Sequence, residues 1–497
     1  MTRGPAWIRS SATTPSLACQ KARRCDPFLD GSAGCHPKCT GRGRRSQRYQ
    51  AAAKHKLGGT VSALKSAIAW PNDKVYLFFD DNHYDRYDGI TGNLEASGRP
   101  IAAWDGLATS PDAFVWWGAG KAYAFLGSTY VRYDESKDRV DPAYRPPDGH
   151  PLPLAPSWPG LPDGSRGGMN WQAGIDAAMN WGTGKLYLFK GDSYLRYDIT
   201  ADRVDPAYPR KIASAWPGVF TAGLDAALYP GGRFAYFFHN HTYQRFDVDE
   251  DRVTESGALS TFHPTTPAGA LQPARLLTAP QANGLLADLI RRGKLTLKSP
   301  PFVDGPAGVV SPKPDQRVAV KPPRIDGIRY TNEIAPSADV MDNIDQRMLM
   351  ALYRLTRWLN SSAPDVAEVL HLGIGHGSGP PNDCHNQGRA LDFSGLVGKV
   401  AGTSFHRSVQ THWGSLPNGP SVRISPSVDP LAFSLFSTAF RYATFECEAN
   451  GIGVGNKWPV PDLGGSGFVI YPDYGGDPHL RAAHQNHIHM QVGRTRA

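Results

Sequence analysis

Three histidines lie close together near the C-terminus, at His484, His487 and His489. Side chains alternate between the two faces of an extended strand, so His487 and His489 point to the same side. Upstream, His385 and Asp392 lie seven residues apart. Imidazole nitrogens and carboxylate oxygens are common zinc ligands. We therefore expect His385, Asp392 and His489 to bind one zinc ion.

A zinc site with three protein ligands keeps one coordination position for water. Such a metal lowers the pKa of the water to about 7 and polarises a carbonyl, whereas four protein ligands make a structural site. The alternative is a set of solvated histidines without a common role. Clustering argues against that alternative, because nine of the sixteen histidines lie in residues 371–489.

The spacing of these residues resembles that of the penicillin-insensitive murein endopeptidases. Their wider group contains lysostaphin-type peptidases, D-alanyl-D-alanine carboxypeptidases and the zinc domain of hedgehog proteins. The resemblance rests on a histidine and an aspartate seven apart, followed by His-x-x-His-x-His, and covers roughly residues 330–497. It implies an α+β zinc peptidase-like domain with the three ligands named above. It also implies that His484 and His487 are catalytic and face the zinc-bound water and the oxyanion.

One position departs from the carboxypeptidase branch of this group. That branch has an acidic residue three positions before its last ligand, where this chain has Asn486. The general base is then either a histidine, as the endopeptidase branch suggests, or a carboxylate from elsewhere, such as Asp477. Hedgehog proteins also show that a site of this type need not be an active enzyme.

Four further polar residues near the site have open roles. Arg389 lies between two of the expected ligands, and it could bind a substrate carboxylate or pair with a structural acid. His371, His376 and His479 either support the metal ligands or are merely solvated, and we expect solvation. Gly and Pro residues follow His376, which suits a rim that faces the substrate.

Composition limits the remaining function classes. The formal net charge is +8, but residues 1–60 contain twelve Lys and Arg against two Asp, so the other 437 residues carry about −2. A basic tail on a near-neutral protein does not favour nucleic acid as a partner. No run of eighteen apolar residues occurs, so the sequence predicts no transmembrane segment.

The N-terminal residues 1–58 form a basic segment with four cysteines, for which we expect disorder. Residues 1–16 contain no apolar stretch, so no ordinary secretory signal is recognisable. Two more cysteines, Cys384 and Cys447, lie in the C-terminal region. A disulfide between them would brace the loop before His385 in an oxidising compartment, and two unrelated thiols are the alternative.

A repeat between residues 59 and 265 predicts the architecture there. Three short segments recur four times, and the third follows the first by 18 residues in every copy. The first segments are residues 66–70, 112–116, 176–180 and 225–229; the second are 74–78, 121–125, 185–189 and 233–237; the third are 84–88, 130–134, 194–198 and 243–247. Constant spacing within a copy and variable spacing between copies indicate rigid antiparallel meanders joined by tolerant loops.

One small sheet cannot bury both of its faces, so we expect the four meanders to pack radially as a β-propeller. They resemble hemopexin repeats in the Asp-Ala-Ala start, the Tyr-x-Phe-Lys-Gly turn and the Tyr-x-Arg-Tyr-Asp third strand. Ser66 replaces the first Asp in one copy, and no cysteine joins the first blade to the fourth. Closure must then rest on packing. The resemblance implies Ca²⁺ or another ion in the central channel, whereas one propeller does not favour haem binding.

The patterns after the propeller predict a linker and an α+β region. Residues 266–325 are rich in Pro, with one short helix at 281–290. Beyond them we expect strands at 328–330, 366–372 and 467–471, and helices at 340–360 and 433–447. The candidate site would lie on one face of a small antiparallel sheet.

The sequence thus predicts a multidomain chain: a tail (1–58), an all-β four-bladed propeller (59–265), a linker (266–325) and an α+β zinc peptidase-like domain (326–497). We interpret it as a secreted or cell-envelope zinc metallopeptidase that cleaves peptidoglycan peptide cross-links, with the propeller as a binding or targeting module. Two alternatives are a protease that acts on extracellular proteins, and a non-enzymatic hemopexin-type binding or adhesion protein with a structural zinc site. The partner would be peptidoglycan or an extracellular protein.

Overall fold

The computed structural model describes residues 56–57, 60–145, 149–299, 303–305, 308–310, 316–361, 364–381, 383–413, 427, 429–447, 469–472 and 478–492. Those from 56 onward belong to one compact unit. The tail predicted for residues 1–58 lies outside the described residues, except for the short strand β1 (Lys56–Leu57), which pairs with β2 (Thr60–Val61). The carboxylate candidate Asp477 also lies outside them.

Four antiparallel sheets follow one another along the chain. The first contains β3 (Leu64–Trp70), β4 (Lys74–Phe79), β5 (His83–Asp88) and β6 (Leu94–Pro100). The second contains β7 (Ala113–Gly118), β8 (Lys121–Leu126), β9 (Thr129–Asp134), β10 (Arg139–Val140) and β11 (Leu152–Pro153), and the short α1 (Leu154–Ser157) follows it. The third contains β12 (Ala177–Asn180), β13 (Lys185–Lys190), β14 (Ser193–Asp198), β15 (Arg203–Val204) and β16 (Arg210–Lys211). The fourth contains β17 (Ala226–Leu228), β18 (Phe234–His239), β19 (Thr242–Asp247) and β20 (Arg252–Ala258).

All twelve strand segments predicted by the repeat are strands, with ends that differ by one or two residues. Each sheet also has a fourth strand, which the sequence analysis missed. The fourth strands differ in length from two residues in β10 to seven in β20, and half-exposed polar residues dominate the longer ones. Such edge strands carry a weak apolar pattern, because only one side of the strand contacts the sheet.

The four sheets form a closed ring. The first strand of each sheet contacts the first strands of its two neighbours, and β3 of the first sheet contacts β17 of the last. Aromatic side chains fill the spaces between blades, for example where Trp104 lies 5.2 Å from Trp70 by ring centroids. The all-β propeller prediction is therefore confirmed. Packing closes the ring together with hydrogen bonds such as that from the Thr266 N–H to the carbonyl oxygen of Gly89, at 2.8 Å.

The recurring charged residues of the repeat have structural roles. In each blade a cation near the start of the second strand pairs with the Asp that ends the third strand. The pairs are Lys74–Asp88 at 2.8 Å, Lys121–Asp134 at 2.6 Å, Lys185–Asp198 at 2.5 Å and Arg233–Asp247 at 2.7 Å. The Arg within the third strand pairs with an acid of the following segment, as Arg245 does with Glu255 at 2.7 Å. These residues hold the meanders together and need no ligand to explain them.

The rest of the chain forms a mixed α/β region. Its helices are α2 (Ala279–Arg291), α3 (Gln346–Asn360), α4 (Val409–His412), α5 (Pro430–Glu446) and α6 (Pro478–Ala483). Its strands are β21 (Leu297–Ser299), β22 (Val303–Gly305), β23 (Gly308–Val310), β24 (Val318–Val320), β25 (Arg324–Ile325), β26 (Ile328–Asn332), β27 (Met341–Ile344), β28 (Asp365–Ile374), β29 (Ala390–Val400), β30 (Thr403–Ser408), β31 (Val469–Ile470) and β32 (Ile488–Gln491). Short 3-10 turns occur at Ile101–Ala103, Glu135–Lys137, Pro142–Tyr144, Trp171–Ala173, Ile212–Ser214, Leu259–Thr261 and Ala274–Leu276.

A seven-stranded sheet positions the candidate site. Its strand order is β25-β26-β28-β29-β32-β31, and β30 also pairs with β29. The sheet is mixed rather than purely antiparallel, because β26 and β28 run parallel. Parallel neighbours need a long crossover connection, and α3 supplies it here. Helices α3 and α5 cover one face, where Tyr330 bonds α3 and Phe393 packs on Phe436 of α5.

The propeller and the helices of this region share one hydrophobic core. On α3, Arg357 donates to the carbonyl oxygen of Trp181 at 3.1 Å, and Trp358 packs closely over Gly184. On α5, Arg441 donates to the carbonyl oxygen of Ile199 at 3.2 Å. The propeller therefore packs against the helix-covered side of the sheet.

Two segments differ from their predicted structure. The predicted helix 340–360 begins only at Gln346, because Asn343 has a left-handed φ of 54° and Asp345 caps the helix by accepting from the Arg347 N–H. The predicted linker helix is longer, with a capping box between Thr278 and Gln281. In the linker segment, β21 and β24 form a sheet with β27, so these strands belong to the α/β fold.

Candidate metal centre

The structure brings together the three residues predicted to be metal ligands. His385 Nε2 lies 3.2 Å from Asp392 Oδ1, and His489 Nδ1 lies 2.9 Å from the same oxygen. The two histidine nitrogens are 3.3 Å apart. The ligand atoms of the three residues all lie within 4.8 Å of one another.

These separations fit one small cation. Zinc binds histidine nitrogen and carboxylate oxygen at about 2.0–2.1 Å in tetrahedral geometry, which requires ligand atoms about 3.3 Å apart. The three observed separations are 2.9, 3.2 and 3.3 Å. All donors are nitrogen or oxygen, as zinc and similar ions prefer. The side chains keep between 9% and 20% of their exposure, so the centre is mostly buried but retains some contact with solvent.

Strand register brings two of these residues together. β29 and β32 are antiparallel neighbours, and Asp392 lies directly opposite His489. Because side chains alternate, the adjacent Phe393 and Ile488 point into the core while the polar pair points to the other face. His489 Nε2 lies 3.1 Å from the buried Oε1 of Gln491. An amide oxygen only accepts, so Nε2 carries the proton and Nδ1 presents a lone pair to the centre.

His487 lies beside the three residues. Its Nε2 is 3.3 Å from Asp392 Oδ1, and its Nδ1 is 2.7 Å from the amide oxygen of Asn486. Asn486, at the position that is acidic in the carboxypeptidases, therefore orients the imidazole of His487. Because Nδ1 donates to Asn486, Nε2 is the nitrogen that faces Asp392 and the centre.

His484 also lies at the centre, just after α6. Its ring centroid is 4.7 Å from that of His487 and 5.5 Å from that of His489. It is half-buried, whereas His487 is buried. The structure thus places all five site residues predicted from the sequence in one cluster.

A short strand braces the loop that carries His385, and sequence reasoning missed it. The Nδ2 group of Asn343 donates to the carbonyl oxygens of Gly375 and Asn386, at 3.1 Å for Asn386. At Gly388, where φ is +71°, a Cβ atom would lie 2.1 Å from the Asn343 carbonyl oxygen. Asn343 therefore fixes both ends of the loop. Its left-handed conformation within β27 was not visible in the sequence, because residues 340–360 have a helical pattern.

Electrostatics couple the residues of the centre. Burial alone would raise the pKa of Asp392, but hydrogen bonds from His385, His487 and His489 hold it well below its usual range. Burial would lower the pKa of His489, yet its hydrogen bond to Asp392 raises it. Asp392 therefore stays ionised and attracts positive charge, which in this arrangement is either a protonated imidazole or a metal cation.

The residues with open roles have different positions. His371 is buried, with 3% exposure, so the prediction that it is solvated was wrong. Burial lowers its pKa to about 4, although Asp392 opposes this shift, and neither of its ring nitrogens has a hydrogen-bond partner among the described residues. His376 and His479 are exposed, and His376 pairs with Asp342 at 2.8 Å. Arg389 is buried and donates to Gln387, so it does not face solvent to bind a carboxylate.

The two described cysteines do not brace the site. Cys384 and Cys447 are both buried, and the structure has no disulfide bond between these two residues. The loop before His385 is instead held by Asp383, whose Oδ1 accepts from the His385 N–H at 2.9 Å. This hydrogen bond positions His385 without involving either cysteine.

Sequence comparison supports the propeller. A family model described as Hemopexin matches residues 111–163 and 175–219, which correspond to the second and third blades. The chain therefore contains hemopexin repeats.

Curated relatives match through the hemopexin region. Matrix metalloproteinase-21 from Homo sapiens is 28% identical over 169 residues, which cover 32% of this chain and 26% of that protein. Matrix metalloproteinase-18 from Xenopus laevis is 34% identical over 85 residues, or 17% of this chain and 15% of that protein. The chain thus spans about a quarter or less of the relatives that it matches.

Comparison with solved structures gives matches of low overall similarity. A plant albumin from Cicer arietinum, described as showing hemagglutination, is 22% identical and covers 41% of this chain and 96% of its own, with a TM-score of 0.35. The hemopexin-fold protein CP4 from cow pea is also 22% identical, covering 39% and 93%, with a TM-score of 0.33. Separately, none of the helices among the described residues combines the length and the hydropathy that crossing a bilayer requires.

Proposed function

We propose that this protein is a zinc-dependent amide hydrolase of the metallopeptidase type. The observation that carries the proposal is the convergence of His385 Nε2, Asp392 Oδ1 and His489 Nδ1 within 3.3 Å of one another on an accessible face of the sheet. These three residues would hold the ion. When bound, zinc would polarise a carbonyl and lower the pKa of water, which is the chemistry that amide hydrolysis needs.

The remaining residues of the centre would handle protons and charge. His487 has Nδ1 anchored on Asn486, so its Nε2 faces the centre. With the ion in place, Nε2 would take a proton from the attacking water and pass it to the leaving amine. His484 packs beside it and, when protonated, would stabilise the oxyanion of the tetrahedral intermediate. Gln491 and Asn343 would position ligands, because they contact a ligand or its loop rather than the reacting atoms.

The propeller would act as a binding or targeting module. It packs against the helix-covered side of the sheet, whereas the metal centre lies on the opposite face. The propeller therefore lies away from the metal centre, and it would anchor the protein at a distance from the bond that is cleaved. Hemopexin repeats are shared with the matrix metalloproteinases matched above, which favours an extracellular protein as the anchor. We propose a secreted or cell-envelope location for the same reason.

Two substrate classes follow from different parts of the chain. The His-Asp and His-x-x-His-x-His spacing favours peptidoglycan cross-link peptides, through the resemblance to murein endopeptidases. The propeller favours extracellular proteins. Both use the same residues and the same chemistry. A Ca²⁺ or other ion in the propeller channel is part of the proposal as well, since residues of all four first strands line that channel.

Metal content tests the proposal directly. We expect about one zinc per full-length chain by elemental analysis, and a loss of zinc affinity of at least about 100-fold in His385→Ala and His489→Ala. His406→Ala is the matched control, because His406 is exposed and lies outside the centre, and it should keep its zinc.

Hydrolysis completes the test. The zinc-loaded chain should cleave amide bonds in purified peptidoglycan or in a denatured protein substrate, and chelation should abolish the cleavage. A folded wild-type chain that binds no metal would contradict the proposal.

A binding function without catalysis is the second candidate. It is favoured by the hemopexin match, which covers the propeller and not the metal centre. Zinc bound at the stated stoichiometry, with no hydrolysis of either substrate and with lower folding stability after chelation, would support a structural zinc site in an adhesion protein.

A further inference from the structure

A cavity of about 730 Å³ lies where the propeller meets helices α3 and α5. Its walls come from the ends of first strands in the propeller, from the segment that follows the propeller, and from the two helices. Pockets for small organic molecules have volumes of roughly 300–1,000 Å³. The cavity lies on the helix-covered side of the sheet, away from the metal centre, so it is a separate candidate site.

The walls of this cavity are largely aromatic. Trp358 of α3 and Phe445 of α5 pack on each other with ring centroids 5.6 Å apart. At the outer edge, Leu276 is 58% exposed. The six aromatic lining residues are Trp116, Trp117, Tyr229, Tyr353, Trp358 and Phe445. An occupant with an aromatic body would therefore bury its rings against other rings, which is a favourable contact.

Most charges in the lining neutralise one another. Lys121 pairs with Asp134 at 2.6 Å, and Arg354 pairs with Glu446 at 2.7 Å. Glu135 also lines the cavity, but it is exposed and its carboxylate forms no ion pair with the described residues. These five residues leave no cation of the walls in excess.

Arg357 of α3 adds a cation that has no carboxylate partner among the described residues. Its guanidinium donates to the carbonyl oxygen of Trp181 at 3.1 Å and to the hydroxyl of Tyr229 at 3.3 Å. A guanidinium has five N–H donors, so further donors remain for a ligand. Because Arg357 is partly buried, an anion beside it would offset the cost of removing its charge from water.

A second guanidinium in the lining has an unused donor. The Nε atom of Arg275 is buried and has no hydrogen-bond partner among the described residues. Arg275 adjoins the exposed Leu276, so it lies near the outer edge of the cavity. Two guanidinium groups with spare donors thus face a cavity whose other walls are mainly aromatic.

We propose that this cavity binds a small aromatic carboxylate. The carboxylate pairs with Arg357, and the ring system packs among the aromatic side chains. Arginine suits this role because its planar fork of N–H groups matches the two oxygens of a carboxylate. The inference does not depend on the metal centre, and it concerns a ligand rather than a substrate.

The test compares two probes that differ in charge. They are 2-naphthoate and its neutral counterpart 2-naphthamide, and their binding to the full-length chain would be measured by calorimetry. We expect one 2-naphthoate per chain with a dissociation constant below about 1 mM, at least about tenfold tighter than 2-naphthamide. Carboxylates also bind zinc, so the measurement is repeated on the chelator-treated chain, which should give the same result.

Substitutions then locate the site. Arg357→Met keeps the apolar stem but removes the charge, and it should weaken 2-naphthoate by at least about tenfold while changing 2-naphthamide less than about twofold. Arg245→Met is the matched control, because Arg245 pairs with Glu255 in the fourth blade and does not line the cavity. It should keep the wild-type preference.

Glu135→Gln supplies a variant at an exposed position, where folding is not at risk. Removal of a negative charge from the cavity wall should tighten 2-naphthoate by about two- to threefold and leave 2-naphthamide unchanged. If Arg357→Met does not fold, as circular dichroism would show, this variant decides the case.

Three results would overturn the proposal. They are equal or undetectable binding of the two probes by the wild type, a preference that disappears after chelation, and a preference that survives in folded Arg357→Met. An unchanged affinity for 2-naphthoate in Glu135→Gln would do the same. None of these outcomes bears on zinc content or hydrolysis, so the proposed function stands or falls separately.

Discussion

The propeller and the metal centre depend on very different ranges of sequence. In each blade the ion pair between the second and third strands joins residues 13 or 14 positions apart, as with Lys121 and Asp134. In the metal centre, His489 meets Asp392 across 97 positions and His385 across 104. The first region is a sum of local hairpins, whereas the second exists only when a whole sheet has formed.

The two regions are nevertheless joined. Residues of the second and third blades lie in the same hydrophobic core as helices α3 and α5, which support the sheet below the metal centre. The propeller, whose hairpins form from local contacts, therefore supports a metal centre that depends on long-range contacts. This comparison predicts that damage to the shared core affects both regions, while damage to one blade or to one ligand loop stays local.

The largest expected effect comes from a mutation in the core that the propeller shares with helix α3. Trp358→Ala removes a buried ring that packs over Gly184 of the propeller and lies 5.6 Å from Phe445 by ring centroids. Burial of this size predicts a loss of about 3–5 kcal/mol in the free energy of unfolding. Because the lost contacts join two regions, denaturant unfolding should separate into two transitions. Tryptophan fluorescence and zinc release would monitor them.

Trp216→Ala is the control for that prediction. Trp216 is equally buried, but its contacts lie within the propeller. It should lose a similar free energy of unfolding without separating the transitions. Two transitions already present in the wild type would contradict the shared core.

The next effect is a pH dependence that His371 contributes. Its pKa is about 4 in the folded chain against 6.5 in the unfolded chain, so between these values only the unfolded state binds the proton. Stability should therefore fall as pH drops from 6.5 to 4, by about 3 kcal/mol from this residue.

His371→Leu should remove that part of the pH dependence. The measurement is urea unfolding of the metal-free chain at pH 6.5 and at pH 4. His406→Leu, at an exposed position, should retain the wild-type dependence. An unchanged slope in His371→Leu would mean that His371 is not buried as a neutral imidazole.

Asn343 should affect the metal centre alone. Asn343→Gly keeps the left-handed backbone but removes the amide that binds the carbonyl oxygens of Gly375 and Asn386. We expect zinc affinity to fall by about 10–100-fold, as for other residues that support a ligand. Competition with a fluorescent chelator measures the change. Asn240→Gly, also at positive φ but in a propeller hairpin, should leave zinc affinity unchanged.

The smallest effect concerns one blade. Lys185 is buried, with 8% side-chain exposure, and pairs with Asp198 at 2.5 Å and Asp205 at 3.1 Å. Lys185→Met removes the cation that Asp198 and Asp205 share, while Arg196 still pairs with Asp205. It should cost about 1–2 kcal/mol in the free energy of unfolding. Lys211→Met removes an exposed pair with Asp192 and should cost under about 0.5 kcal/mol. Equal effects would show that the buried pairs do not hold the blades.

Much of the propeller could be predicted from the sequence. The repeat located twelve of its strands, because a hairpin is encoded by a short apolar alternation and a turn. The fourth strands could not be located, since edge strands such as β10 and β15 carry too few apolar residues. Ring closure was inferred only from the need to bury both faces of each sheet, because the contacts between β3 and β17 that close the ring join residues far apart in the chain.

In the candidate site, the sequence by itself indicated which residues could bind a metal, because ligand chemistry depends on residue type and on spacing along one strand. Only the tertiary structure decided that β32 lies beside β29, that Asn486 orients His487, that Asn343 braces the ligand loop and that His371 is buried. The physical reason is that local patterns select strands and helices, whereas strand order, register and burial are set by the cooperative packing of the whole core.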